Sequence, residues 1–85
     1  MLINRVKDYR KGAGLTQEDL ALLAGVSRQT IISIEKNKFV PGLDIALKIS
    51  ESLKTPINKL FYFLYIEKID AVITWVDGSE PNYKL

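Results

Sequence analysis

Residues 16–38, TQEDLALLAGVSRQTIISIEKNK, constrain the fold more than any other stretch of the chain. Thr16 stands three residues ahead of Asp19, the spacing at which two side chains reciprocally satisfy the orphan main-chain N–H groups of a helix start. Ser27 is a second hydroxyl N-cap, at the head of SRQTIISIEK. Between them, Gly25 falls where the first helix has to stop and the chain has to turn, at a positive φ that glycine adopts at least cost. Two capped segments about one glycine predict two short helices joined by a tight turn.

Apolar periodicity extends this unit into a small helical domain. The spacing predicts a first helix over Leu2–Lys11, with Leu2, Ile3, Val6 and Tyr9 on one face, Arg10 projecting towards it, and Gly12 and Gly14 ending it. A second helix over Gln17–Ala24 buries Leu20, Ala21 and Ala24. A third over Arg28–Lys36 buries Ile31 and Ile34. Residues 37–42 read as a loop ending in the turn pair Pro41-Gly42. A fourth helix over Leu43–Leu53 turns Leu43, Ile45, Ala46, Leu47, Ile49 and Leu53 inward and Asp44, Lys48, Glu51 and Ser52 outward. Thr55 is expected as the N-cap, with Pro56 at the first position, of a short fifth helix reaching Phe61.

The pattern changes after that. FYFLYI is compatible with more of the fifth helix or with the start of a strand. Residues 69–76, IDAVITWV, are rich in β-branched and aromatic types and precede the turn pair Asp77-Gly78, so they read as a strand. No second strand pattern is evident in the sequence, which makes another copy of the chain the expected partner, with Ile69, Ala71, Ile73 and Trp75 on the dimerising face. The expected class is mainly α: a five-helix domain over residues 1–66 and a C-terminal extension over 67–85 that carries the dimerisation strand.

Composition narrows the chemistry. With 47% apolar and 26% charged residues the 85-residue chain reads as one small globular domain and not as a disordered one. It contains no cysteine and no histidine. A disulfide framework, a thiolate or imidazole zinc site and histidine-based acid–base catalysis are therefore set aside, and no cofactor or metal is expected. The opening MLINRVKDYR is too polar for a signal peptide and no apolar run spans a bilayer, so a cytoplasmic location is expected. Residues 1–66 hold ten Lys/Arg against six Asp/Glu, whereas 67–85 hold two against four. The basic excess coincides with the paired helices, as binding of an anionic polymer requires; charge alone reads as ordinary solubilising charge, and the paired helices turn the balance.

In a helix-turn-helix the second helix enters the DNA major groove, first turn foremost. At 100° per residue, Arg28, Gln29, Ile32, Ser33 and Lys36 share the face opposite Ile31 and Ile34. Arginine bonds guanine O6 and N7 in a bidentate way, and glutamine does the same with adenine N6 and N7. Arg28, Gln29, Ile32 and Ser33 are the base-contacting candidates. Ile32 reads either as a contact for a thymine methyl or as a scattered surface apolar residue. Phosphate contacts come from donors at helix starts and in loops, which selects Gln17 first and then Thr16, Thr30, Lys36, Asn37 and Lys38; Lys38 reads equally as a free surface charge. Arg10 and Glu35 both lie at apolar faces, where an unpaired charge is costly, so they are expected to pair.

The stretches RVKDYRKGAGLTQEDLA, AGVSRQTIISIEKNKFVPGLDIALKIS and TPINKLF resemble the lambda-repressor/Cro-like, or XRE, family of bacterial, archaeal and phage regulators. The resemblance covers residues 1 to about 63. It implies a five-helix lambda-repressor-like domain that binds double-stranded operator DNA, usually as a dimer, and regulates transcription. It also implies a DNA-backbone contact at Gln17 and an ion pair at the positions of Arg10 and Glu35. A second, short stretch, IDAVITWVDGSEP, resembles the opening strand and turn of Stealth-type sugar-phosphate transferases; so short a segment implies no catalytic function.

The expected function is therefore a sequence-specific transcriptional regulator, a homodimer reading a palindromic operator through its third helix. The alternative is an antitoxin-like protein-binding module whose extension docks on a protein partner and which autoregulates. An enzyme is not expected. There is no glycine-rich phosphate loop, and Asp70 and Asp77, which a metal-carboxylate hydrolase would need together, sit at opposite ends of one strand.

Overall fold

The computed structural model describes residues 1–64. Its elements run β1 (Leu2–Asn4), α1 (Val6–Gly12), α2 (Gln17–Ala24), α3 (Arg28–Glu35), α4 (Leu43–Leu53), α5 (Ile57–Leu60) and β2 (Phe61–Phe63). The five helices enclose Val6, Leu20, Ala21, Ala24, Ile31, Ile34, Ile49, Leu53 and Leu60, with Tyr9, Leu15, Val26, Ile45 and Phe61 packed around that cluster. The central pair forms as its caps dictate. Thr16 Oγ1 accepts from Asp19 N at 2.9 Å while Asp19 Oδ2 accepts from Thr16 N at 2.9 Å. Ser27 Oγ accepts from Thr30 N at 3.1 Å. Gly25 takes φ 72° and closes α2, with Val26 N donating to Ala21 O at 3.0 Å.

The two ends of the domain depart from the helical reading. Leu2–Asn4 is a strand, not the first turn of α1, and it pairs antiparallel with Phe61–Phe63 in the register Leu2–Phe63, Ile3–Tyr62, Asn4–Phe61. The sequence reading, which found no strand pattern besides 69–76, is thus corrected by two short strands within the described residues, and Phe61 starts this ribbon instead of ending the fifth helix. Each strand would be unstable alone; together they supply one another's main-chain partners. The ribbon continues at both ends through Arg5 N to Leu60 O and Leu64 N to Met1 O, each 2.8 Å. Asn4 makes the switch from strand to helix. Its Oδ1 accepts from Val6 N at 2.9 Å, an Asx turn that starts α1, and its Nδ2 donates to Ile34 O at 2.6 Å, at the end of α3.

Two further expectations are corrected. Leu43 and Leu47 face outward, 69% and 49% exposed, and the buried stripe of α4 is Ala46, Ile49 and Leu53, with Ile45 at its edge. At 100° per residue Leu43 lies on the flank of that stripe and Leu47 further round towards the outer face, so apolar character alone placed them inward. Thr55 does not cap α5; Pro56 occupies that position and the helix begins at Ile57. Thr55 instead belongs to the end of α4: its N donates to Ser50 O at 3.1 Å and its Oγ1 to Leu53 O at 2.9 Å, around Lys54 in the left-handed region at φ 51°. The expected strand 69–76, its dimerising residues Ile69, Ala71, Ile73 and Trp75, and the boundary between 66 and 67 lie outside the described residues.

Candidate nucleic-acid interface

α3 is held by one face and open on the other. Ile31 and Ile34 are fully buried, and Arg28 and Gln29 are exposed in the first turn, straight after the Ser27 cap. Ile32 and Ser33 are half-buried, so each offers part of its side chain on the outer face; Lys36, Asn37 and Lys38 are exposed at the far end. Thr30 is half-buried, and its hydroxyl lies 2.9 Å from the Ser27 hydroxyl, which ties it into the cap. Asn37 sits in the left-handed region at φ 60°, and Lys38 N donates to Ser33 O at 2.8 Å, the pattern that closes a helix. Asn37 is thus a helix-ending residue as well as a phosphate candidate.

α2 presents its N-terminus. Thr16 and Asp19 satisfy two of its orphan N–H groups between them, which leaves the main-chain N–H groups of Gln17 and Glu18 without an acceptor among the described residues. Such a helix start attracts anions. The Thr16 main-chain N–H, and then the Thr16 hydroxyl, hold the Asp19 carboxyl below its ordinary pKa.

Between the two helices lies the buried pair. Arg10 Nε donates to Glu35 Oε2 at 2.7 Å and an Arg10 terminal nitrogen donates to Glu35 Oε1 at 3.2 Å, with side chains only 8% and 4% exposed. Arg10 also donates to Leu15 O at 2.9 Å. The same Oε1 of Glu35 accepts from Gln17 Nε2 at 3.1 Å. The leading phosphate candidate is therefore joined to the ion pair, a link that no helical spacing reveals because it spans α1, α2 and α3. No buried side-chain nitrogen or oxygen among the described residues is left unpaired. Asn4 was missed too; its signal was an Asn two residues ahead of a helical run, a recognised turn-forming position. Among the described residues no group of acidic side chains is placed to hold a metal.

The helix-turn-helix family model matches residues 6–60 of this chain. A model of Stealth protein conserved region 1 matches residues 67–84, a small part of the chain that lies outside the described residues. An uncharacterized HTH-type transcriptional regulator of Methanocaldococcus jannaschii is 50% identical over 60 residues, covering 71% of this chain and 91% of that protein. An uncharacterized HTH-type transcriptional regulator of Archaeoglobus fulgidus is 42% identical over 59 residues, covering 69% and 84%. Among solved structures, the restriction-modification controller protein C.AhdI from Aeromonas hydrophila is similar with a TM-score of 0.64 and 32% identity, covering 67% of this chain and 86% of that one.

Proposed function

The chain belongs to the helix-turn-helix family of DNA-binding transcriptional regulators, and on that premise we propose that it reads a specific DNA sequence with α3 and grips the sugar-phosphate backbone with the start of α2. The observation that carries this reading is the split of α3 into a locked face, Ile31 and Ile34, and an exposed first turn that presents Arg28 and Gln29. Arg28 and Gln29 read guanine and adenine edges in the major groove, and the outer parts of Ile32 and Ser33 add contacts beside them. Gln17, Thr16, Thr30, Lys36, Asn37 and Lys38 bond phosphates and set the register without choosing the sequence. The Arg10–Glu35 pair fixes the angle between the gripping and reading elements. The protein acts in the cytoplasm as a homodimer on a palindromic operator, its two reading helices about one DNA turn, roughly 34 Å, apart.

The test is binding of the full chain to its operator and to a random duplex. Arg28→Ala or Gln29→Ala costs about 1–3 kcal/mol on the operator, with little change in melting temperature. An equal loss on random DNA overturns base reading. Gln17→Ala weakens both duplexes by a similar factor. For the dimer, deletion of residues 67–85 yields a folded monomer that binds the operator more weakly; a truncated protein that still sediments as a dimer at micromolar concentration removes the extension from the interface.

A further inference from the structure

We propose that Glu35 is a positioning residue for DNA binding: its carboxylate selects one orientation of the Gln17 amide and so aims an N–H at the phosphate, while Arg10 cancels the charge that would otherwise repel that phosphate. This rests on the proposed contact between Gln17 and the DNA backbone.

Gln17 is the first residue of α2 and is half-buried, and Glu35 is the last residue of α3. A glutamine amide can sit either way round, with its oxygen or its nitrogen outermost. An ionised carboxylate only accepts hydrogen bonds, so the group that faces Glu35 has to be the NH2. With Nε2 at 3.1 Å from Glu35 Oε1, one amide hydrogen is used and the second has no acceptor among the described residues, at the same helix start whose Gln17 and Glu18 main-chain N–H groups are also unpaired. Flipped, the same residue would present its carbonyl oxygen to an anion. The carboxylate therefore turns a side chain of two states into a donor of fixed direction.

A negative charge one hydrogen bond away from a phosphate site would ordinarily weaken it. Here Arg10 forms two bonds to the same carboxylate, at 2.7 and 3.2 Å, so the unit carries no net charge. Arg10 also holds Leu15 O at 2.9 Å, which fixes the residues leading into α2 relative to the end of α3. The pair thus does more for binding than hold helices together: it delivers an oriented, neutral acceptor to the gripping residue.

A double-mutant cycle on a random-sequence duplex separates positioning from a merely structural role. Arg10 and Glu35 are replaced together by methionine, an apolar exchange that leaves no buried charge unpaired. Gln17→Ala alone lowers affinity roughly tenfold, as for loss of a hydrogen bond to a charged group. The Arg10→Met/Glu35→Met protein loses a similar factor when Gln17 is present and less than twofold when position 17 is already alanine. Equal losses in both backgrounds, or none in either, overturn the proposal. If Gln17→Ala leaves affinity unchanged, the backbone contact of Gln17 is wrong and this inference falls with it; if Gln17→Ala is costly but the paired replacement is free, the inference alone falls. Should the paired variant not fold, Glu35→Gln serves, because an amide at 35 accepts or donates and lets Gln17 flip. The side-chain NH2 resonances of Gln17 are then expected to shift between the native protein and that variant as the carboxylate bond is lost; unmoved resonances overturn the proposal.

Discussion

Replacing Asn4 removes two bonds that join three elements, and their separate magnitudes can be worked out. The Oδ1 bond to Val6 N starts α1 at a residue that is fully buried, so its loss costs about 1 kcal/mol, the usual figure for a lost helix cap. The Nδ2 bond to Ile34 O is worth about another 1 kcal/mol. It does not reach the higher cost of an orphaned acceptor, because Ile34 O also accepts from Asn37 N at 2.9 Å. Asn4→Ala therefore costs about 2 kcal/mol. At roughly 4–8 °C per kcal/mol for a domain of this size, its melting temperature falls by roughly 8–16 °C. Asn4→Asp keeps the acceptor for Val6 N but has no donor for Ile34 O at neutral pH, so it loses about half as much or more. Thermal unfolding followed by circular dichroism at pH 7 measures both variants. If Asn4→Asp melts with the native protein, the bond to α3 contributes nothing and the account of Asn4 as a junction is wrong.

Other outcomes follow from single residues. Gly25 and Lys54 hold the same left-handed conformation, at φ 72° and 51°, with opposite suitability. Gly25→Ala destabilises by about 1 kcal/mol through φ alone, since a Cβ there meets nothing nearer than Lys48 Nζ at 4.0 Å. Lys54→Gly stabilises by roughly 0.5 kcal/mol, part of the relief being offset by the freer unfolded chain; denaturant midpoints read both, and a loss at Lys54→Gly refutes the strain. The Asp19 carboxyl is held below its ordinary pKa by the Thr16 main-chain N–H and then by the Thr16 hydroxyl. Because folding favours the ionised form, that stabilisation is present above the unfolded carboxyl pKa and is lost as pH falls through the lowered native value. The stability gap between native protein and Asp19→Ala, full at neutral pH, narrows only below the ordinary carboxylate range; a gap that closes near pH 6 contradicts it.

What could be read in the sequence was local. Thr16, Asp19, Gly25 and Ser27 act within a turn of themselves, so their residue types suffice to place α2 and α3. Arg10 and Glu35 were legible for a different reason: two charges each on an apolar face have few ways to be buried. A strand starting in FYFLYI was one of two open readings, but its pairing with Leu2–Asn4 was not legible, because both strands are too short to show alternation and stand at opposite ends of the domain. Leu43 and Leu47 misled because an apolar residue type was taken as inward even at the flank of the stripe and beyond it. The bond from Gln17 to Glu35 depends on how α2 and α3 cross, which periodicity along either helix does not contain.

The β1–β2 ribbon also has a consequence for the order in which the domain is made. Contacts within α1–α3 join residues close in sequence and form early, whereas Leu2 finds Phe63 only after a loop of nearly the whole domain has been closed. Loop closure of that length favours late formation of the ribbon, and the bond from Asn4 Nδ2 to Ile34 O is what ties it to the end of α3. Once shut, with Met1 and Leu64 bonded to one another, the described chain is in effect a ring. Loosening either strand therefore frees both ends of the described residues at once, because Leu2 pairs with Phe63 and Met1 is bonded to Leu64 on the same ribbon.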